Sequence, residues 1–188
     1  MTELAVQHIE AGDQRLSEDG EQFLTFIMAG EEYGVDILCV QEIRGWEQAT
    51  PIPNAPPHIK GVINLRGAIV PIVDLRLCFG MSAIEYNELT VVIVLKVESA
   101  TTSRTMGVVV DAVSDVYSIV SKQVKPAPDL GDAVNTSYIR GLVNIEEKMV
   151  VLLEIDKLLN IEDLLATEHG RIVDPAVLQQ CMTTNGEG

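Results

Sequence analysis

Apolar residues recur along this chain in short runs separated by charged or turn-forming residues, the pattern left by β-strands. The runs Phe23–Met28, Gly34–Val40, Gly61–Leu65, Ala68–Leu75, Thr90–Val97, Thr105–Val113 and Met149–Ile155 are rich in Val, Ile, Leu and Thr. Such residues fit a pleated, half-buried surface, so each run predicts a strand. Val91–Leu95 and Val108–Val110 scarcely alternate, which predicts strands buried on both faces. Turn residues fall between the runs: Gly30, Pro51, Pro53, Pro56, Pro57, Gly67, Pro126, Pro128 and Gly131. Pro71 lies inside a run and has no N–H to donate, so it is expected at a sheet edge or a bulge. Leu158, Leu159, Ile161, Leu164 and Leu165 are spaced as on one face of a helix, which predicts a C-terminal helix over Asp156–Leu165. Residues 1–21 read as an acidic N-terminal tail, 22–165 as the folded domain and 166–188 as a C-terminal tail.

The pattern repeats. Ile59-Lys60-Gly61-Val62-Ile63-Asn64-Leu65 aligns without a gap on Ile139-Arg140-Gly141-Leu142-Val143-Asn144-Ile145, 80 positions later. Over the 18 positions from Ile59 to Arg76, four are identical and nine are conservative pairs. Upstream, Tyr33-Gly34-Val35 with Val40-Gln41-Glu42-Ile43 is echoed 73 positions on by Met106-Gly107-Val108 with Val113-Ser114-Asp115-Val116. An all-β unit has been duplicated, with approximate repeats 22–80 and 90–160. Units this small have marginal cores, so the halves are expected to interleave or pack across an apolar seam. Closure into barrels would hide their strand edges.

Composition narrows the function. Of 188 residues 47% are hydrophobic and 22% charged, which suits a packed core. A net charge of −15 argues against nucleic acid and anionic membrane as partners, because phosphate surfaces demand clustered Lys and Arg. No stretch has the apolar length to cross a bilayer, and Met1–Ala5 lacks the basic start of a secretion signal. Cys39, Cys78 and Cys181 form no CxxC pair and read as reduced thiols, so the expected location is the cytoplasm.

Catalytic furniture is missing. His8 and His169 lie in the tails and His58 in a proline-rich loop, and no GxSxG elbow occurs. HExxH, paired CxxC and glycine-rich phosphate loops are also missing, so neither a metal nor a cofactor is expected. Asp36 and Asp74 are the carboxylates left to consider as a glycosidase-like pair, against their bland reading as surface acids. A duplicated barrel without such groups is best read as a binding module. A small-molecule-binding or hydrolytic barrel is the competing reading.

Residues Ile59–Arg76 resemble the signature stretch of the CheW coupling proteins. Glu32–Gly45, Thr90–Leu95 and Gly107–Val116 resemble the opening strands and second half of that family, and the likeness runs from Gln22 to Leu165. The resemblance implies an all-β fold of two SH3-like five-stranded barrels. It also implies a non-enzymatic adaptor joining the cytoplasmic tips of chemoreceptors to the regulatory domain of the histidine kinase CheA, recruited to membrane-bound receptor arrays. By the same resemblance Ile37, Val40, Glu42, Gly61, Arg66 and Val91 match receptor-binding positions. The residue types suit such a role, since apolar anchors accept the side of a helix and an arginine on a tight turn can fork onto a carboxylate. Where the first copy has Arg66-Gly67 the second has Glu146-Glu147, so the two halves are functionally unequal. A relative serving surface motility rather than swimming is compatible with the same residues.

Overall fold

The structure is a computed structural model that describes residues 20–131, 135–160 and Leu164. These described residues form ten strands: β1 (Glu21–Met28), β2 (Glu31–Asp36), β3 (Val40–Gly45), β4 (Ile59–Leu65), β5 (Ala68–Asp74), β6 (Val91–Glu98), β7 (Ser103–Val110), β8 (Ala112–Ile119), β9 (Ile139–Ile145) and β10 (Lys148–Leu153). Two short helices, α1 (Leu75–Cys78) and α2 (Ile155–Leu158), follow β5 and β10. A 3-10 turn over Ile37–Cys39 joins β2 to β3.

The strands form two five-stranded sheets, ordered β8-β1-β2-β10-β9 and β3-β6-β7-β5-β4. Exchanging β1–β5 for β6–β10 turns one order into the other, so the duplication governs the three-dimensional fold as well as the sequence. The copies interleave. Each sheet takes a two-stranded hairpin from one copy and three strands from the other, joined by a parallel pair, β2 with β10 or β7 with β5. In these pairs Gly34 stands opposite Leu152 and Gly107 opposite Ile72. A Cβ on Gly34 would lie 2.9 Å from the Leu152 side chain, and one on Gly107 2.6 Å from that of Ile72. The in-register glycines of the sequence therefore mark close approach of packed side chains.

Bridges Thr50↔Val62 and Lys125↔Leu142 tie the chain after β3 and β8 to the outer strands β4 and β9, closing each sheet into a barrel. Barrel one (β8-β1-β2-β10-β9) has a core of Phe23, Ile119, Val143, Ile145, Val150 and Leu152. Barrel two (β3-β6-β7-β5-β4) repeats it with Ile63, Leu65, Val70, Ile72, Val92 and Val94. Between them lies a larger shared core, threaded by Phe26, Tyr33, Phe79 and Tyr138, whose successive ring centroids are 5.8, 5.7 and 5.8 Å apart. Each such aromatic pair adds about 0.5–1.5 kcal/mol beyond its buried area. The seam, not either barrel alone, holds most of the apolar mass. Cys78 is buried at this seam, and burial together with the nearby Asp74 charge pushes its thiol up to about 12.

Several elements differ from expectation. The run Gly34–Val40 ends as a strand at Asp36, whose carboxylate accepts a hydrogen bond from the Leu38 N–H at 2.9 Å and starts the 3-10 turn. The run Thr105–Val113 is two strands, β7 and β8, broken at Asp111 where the chain crosses between barrels. Strand β3 is masked in the sequence by its charged Glu42 and Arg44. Pro71 is not on an edge strand, since β5 lies between β7 and β4. It is tolerated because the ladder to β7 begins one residue later, at Ile72. The C-terminal helix is described only as the four-residue α2 and a helical Leu164. Residues 161–163 and 165, like the tails, lie outside the described residues.

Candidate partner-binding face

Strand β3 carries the face, and a bulge gives it two characters. The register runs Val40↔Leu95, then Glu42↔Val94, Ile43↔Ile93, Arg44↔Val92 and Gly45↔Val91, skipping Gln41. Residues directly opposite in an antiparallel pair share a face of the sheet. Val40 and Ile43 therefore lie on the side of Leu95 and Ile93, which belong to the shared core, with Val91 on that same side. Glu42 and Arg44 lie on the side of Val94 and Val92, which belong to the core of barrel two. One skipped residue sets an apolar shelf against a charged flank.

On the shelf, Ile37, Val40 and Val91 are half-buried and pack against the shared core. Two further residues extend it: Leu38, 87% exposed, and Ile43, 45% exposed. Sequence reasoning missed both. Leu38 sits in a strand-like run that reads as interior, and only the 3-10 turn pinned by Asp36 throws it outward. Large apolar side chains so exposed beside a half-buried patch mark a surface built for contact.

On the flank, Arg66 occupies the β4–β5 turn. Arg66 and Gly67 both adopt left-handed backbone, φ 50° and 90°, and the Asn64 side chain accepts the Gly67 N–H at 2.8 Å. Two successive left-handed residues are what a two-residue hairpin of primed type requires. The turn aims the Arg66 guanidinium back over β3, where Nη2 donates to Glu42 Oε2 at 2.6 Å. The other oxygen of Glu42 accepts from Arg44 Nη1 at 3.4 Å, and Arg44 Nη2 donates to Glu47 at 3.1 Å. Glu42 is mostly covered, 20% exposed, whereas the Arg66 side chain is 79% exposed. A pair this exposed contributes about 0–1 kcal/mol to stability. Its effect is to hold one edge of the guanidinium and turn the remaining N–H donors outward.

The second copy repeats the turn without the chemistry. Glu146 and Glu147 hold φ 48° and 70°, so the hairpin geometry is kept while the guanidinium is lost. Gly61, the sixth expected contact, is not on the face. It is buried, with φ 133°, beneath the Thr50–Pro51 backbone, and a Cβ there would lie 2.1 Å from Thr50 O. The other five lie on barrel two and the turn that leads into it, Ile37, Val40 and Val91 against the shared core and Glu42 with Arg66 on the other face of β3.

The carboxylates considered for hydrolysis have structural roles on different sheets. Asp36 caps the 3-10 turn. Asp74 is buried, caps α1 through the Leu77 N–H at 3.3 Å and accepts the Tyr86 hydroxyl at 2.5 Å. Burial, then the Asp74 bond and charge, push that hydroxyl above its ordinary range. Among the described residues no three His, Cys, Asp or Glu side chains gather as a metal cage, and no helix is long and apolar enough to cross a membrane.

Comparison with known proteins points one way. The sequence model of the CheW-like domain matches residues 22–163. The chain is 48% identical over 150 residues to the chemotaxis protein CheW of Klebsiella aerogenes, covering 80% of this chain and 88% of that protein. It is 40% identical over 150 residues to the chemotaxis protein CheW of Rhizobium meliloti, covering 80% and 94%. The crystal structure of the scaffolding protein TtCheW from Thermoanaerobacter tengcongensis superposes with a TM-score of 0.68 at 29% identity, covering 76% of this chain and 94% of that one.

Proposed function

This chain belongs to the CheW family, and from that premise we propose that it couples the helical signalling tips of chemoreceptors to the histidine kinase CheA. It is a chemotaxis scaffold whose contribution is contact surface and geometry. The observation that carries the finer reading is that β3 bears the Arg66–Glu42 pair on one face and, across its edge, the shelf of Ile37, Leu38, Val40 and Val91 on the other. A receptor tip is a helical hairpin, and one side of such a helix meets the shelf while a carboxylate on it meets the open edge of Arg66. The kinase domain then meets the other barrel, whose β9–β10 turn is acidic, and the complex gathers at receptor arrays. Residues 22–165 form the body of the adaptor in this reading.

Mixing the full chain with a receptor signalling fragment and CheA at micromolar concentration tests this. Both partners are expected in one pelleted or size-resolved complex that neither forms alone. If neither partner binds while a metabolite raises the melting temperature, the adaptor reading fails and the ligand-binding barrel takes its place.

A further inference from the structure

The interleaved fold passes the chain between barrels at two equivalent corners, and the corners are built differently. At the β7–β8 corner, Asp111 receives a two-pronged hydrogen bond from Arg76 on α1, with Nε to Oδ1 and Nη2 to Oδ2 both at 2.7 Å. Asp111 Oδ2 also accepts the Ala29 N–H of the β1–β2 turn at 2.9 Å, and Arg76 Nη1 donates to Ser82 O at 3.2 Å. The pair is largely covered, with side chains 14% and 21% exposed. Burial alone would raise the Asp111 carboxyl, yet the bonds from Arg76 and Ala29 overcome it and hold it below its ordinary range. One carboxylate thus joins the helix of barrel two, the crossing strand and a turn of barrel one.

The opposite corner lacks this joint. By the offsets of the repeat, Leu38 stands where Asp111 stands and Asp156 where Arg76 stands. Asp156 caps the equivalent turn directly, accepting the Glu98 N–H at 2.6 Å. Apolar Leu38 makes no side-chain hydrogen bond to helix or turn, and its N–H is taken by Asp36. The same architecture is therefore clasped by a three-way charged joint at one corner and by the single Asp156–Glu98 hydrogen bond at the other. An isolated exposed ion pair would contribute little, but a covered fork with a third donor fixes orientation as well as distance.

We propose that Arg76 and Asp111 are positioning residues that fix the angle between the barrels, so that a receptor tip on barrel two and a kinase domain on barrel one are held at one spacing. This rests on the adaptor reading given above, with the two partners on different barrels. Neither residue belongs to the partner-binding face.

The test measures inter-barrel distance and binding separately. Spin labels on genetically encoded residues at Ile69 and Lys148, exposed in the β4–β5 and β9–β10 hairpins, report the distance distribution in the full chain. Arg76→Met is expected to widen that distribution about twofold, as release of a domain hinge does, and Arg76→Lys, which keeps charge but loses the fork, to widen it less. Should the Met variant fail to fold, the Lys variant alone decides. Binding of the receptor fragment by itself should stay within about twofold of the unaltered protein, while assembly of receptor fragment, adaptor and CheA weakens about tenfold, the penalty for losing matched geometry between two linked contacts. A merely structural pair would lower the melting temperature without separating these two affinities. An unchanged distance distribution overturns the brace. A widened one with undiminished three-component assembly overturns its role in spacing. An unaltered protein that binds neither partner overturns the adaptor reading instead, and the distance comparison still decides whether the brace exists.

Discussion

Gly61→Ala is expected to be the most damaging single-methyl change in the fold. Its φ of 133° lies in backbone that L-residues rarely adopt, and the added Cβ would meet Thr50 O at 2.1 Å, Thr50 C at 2.6 Å and Pro51 Cα at 3.1 Å. These are backbone atoms, held by the paired hydrogen bonds Thr50 N–H to Val62 O at 2.8 Å and Val62 N–H to Thr50 O at 2.9 Å that close barrel two. They cannot swing away as a side-chain tip can. Overpacking and forbidden backbone together cost about 3–5 kcal/mol, a large share of the roughly 5–15 kcal/mol available to a domain. Gly67→Ala is the control: its φ of 90° is also left-handed, but nothing lies within 4 Å of the added carbon. That variant should lose only about 1 kcal/mol. Urea denaturation of both checks the difference, and equal midpoints would show that closure at Thr50 does not constrain Gly61.

Arg66→Glu is expected to leave the fold alone and to remove partner binding. The side chain is 79% exposed and its ion pair with Glu42 is open to solvent on the arginine side, so stability should move by no more than about 1 kcal/mol. In the proposed interface the change is larger, because it deletes a donor and places a carboxylate beside both Glu42 and the acid expected on the partner. Like-charge opposition in a closed contact costs several kcal/mol, so the receptor-fragment affinity should fall about 100-fold or more. The exchange Glu42→Arg with Arg66→Glu separates two explanations. It restores the pair within the protein but reverses the charge shown to the partner, and it is expected to bind no better than Arg66→Glu. Recovered affinity would mean that the pair matters only for local structure.

How much of this was legible in the sequence depends on the range over which each feature is determined. The repeat, its glycines and most strands were readable because periodicity and close packing act residue by residue, and Gly34 and Gly107 fill the same role in both sheets. Which strands interleave was not readable. It depends on β2 pairing in parallel with β10, and β7 with β5, between elements distant in sequence. Pairing within a copy or between copies satisfies the same apolar pattern. Arg66 falls in the first copy, but its hairpin belongs to a barrel whose central strands come from the second. Short-range exceptions hid the rest. Asp111 interrupts an apolar run only to form a corner clasp, and Leu38 looks like core until Asp36 turns the chain. Glu42 and Arg66 could each be named from the family resemblance, but only the turn geometry brings the two within 2.6 Å.

The central claim is that the partner docks on barrel two, along β3 and the β4–β5 turn. The amide spectrum of isotope-labelled protein, recorded with and without a receptor signalling fragment, tests it most directly. Perturbations are expected at Ile37–Ile43, at Arg66 and at Val91, with the equivalent Glu146–Glu147 turn of barrel one unmoved. A footprint centred on Glu146–Glu147, with Arg66 and β3 silent, would contradict it.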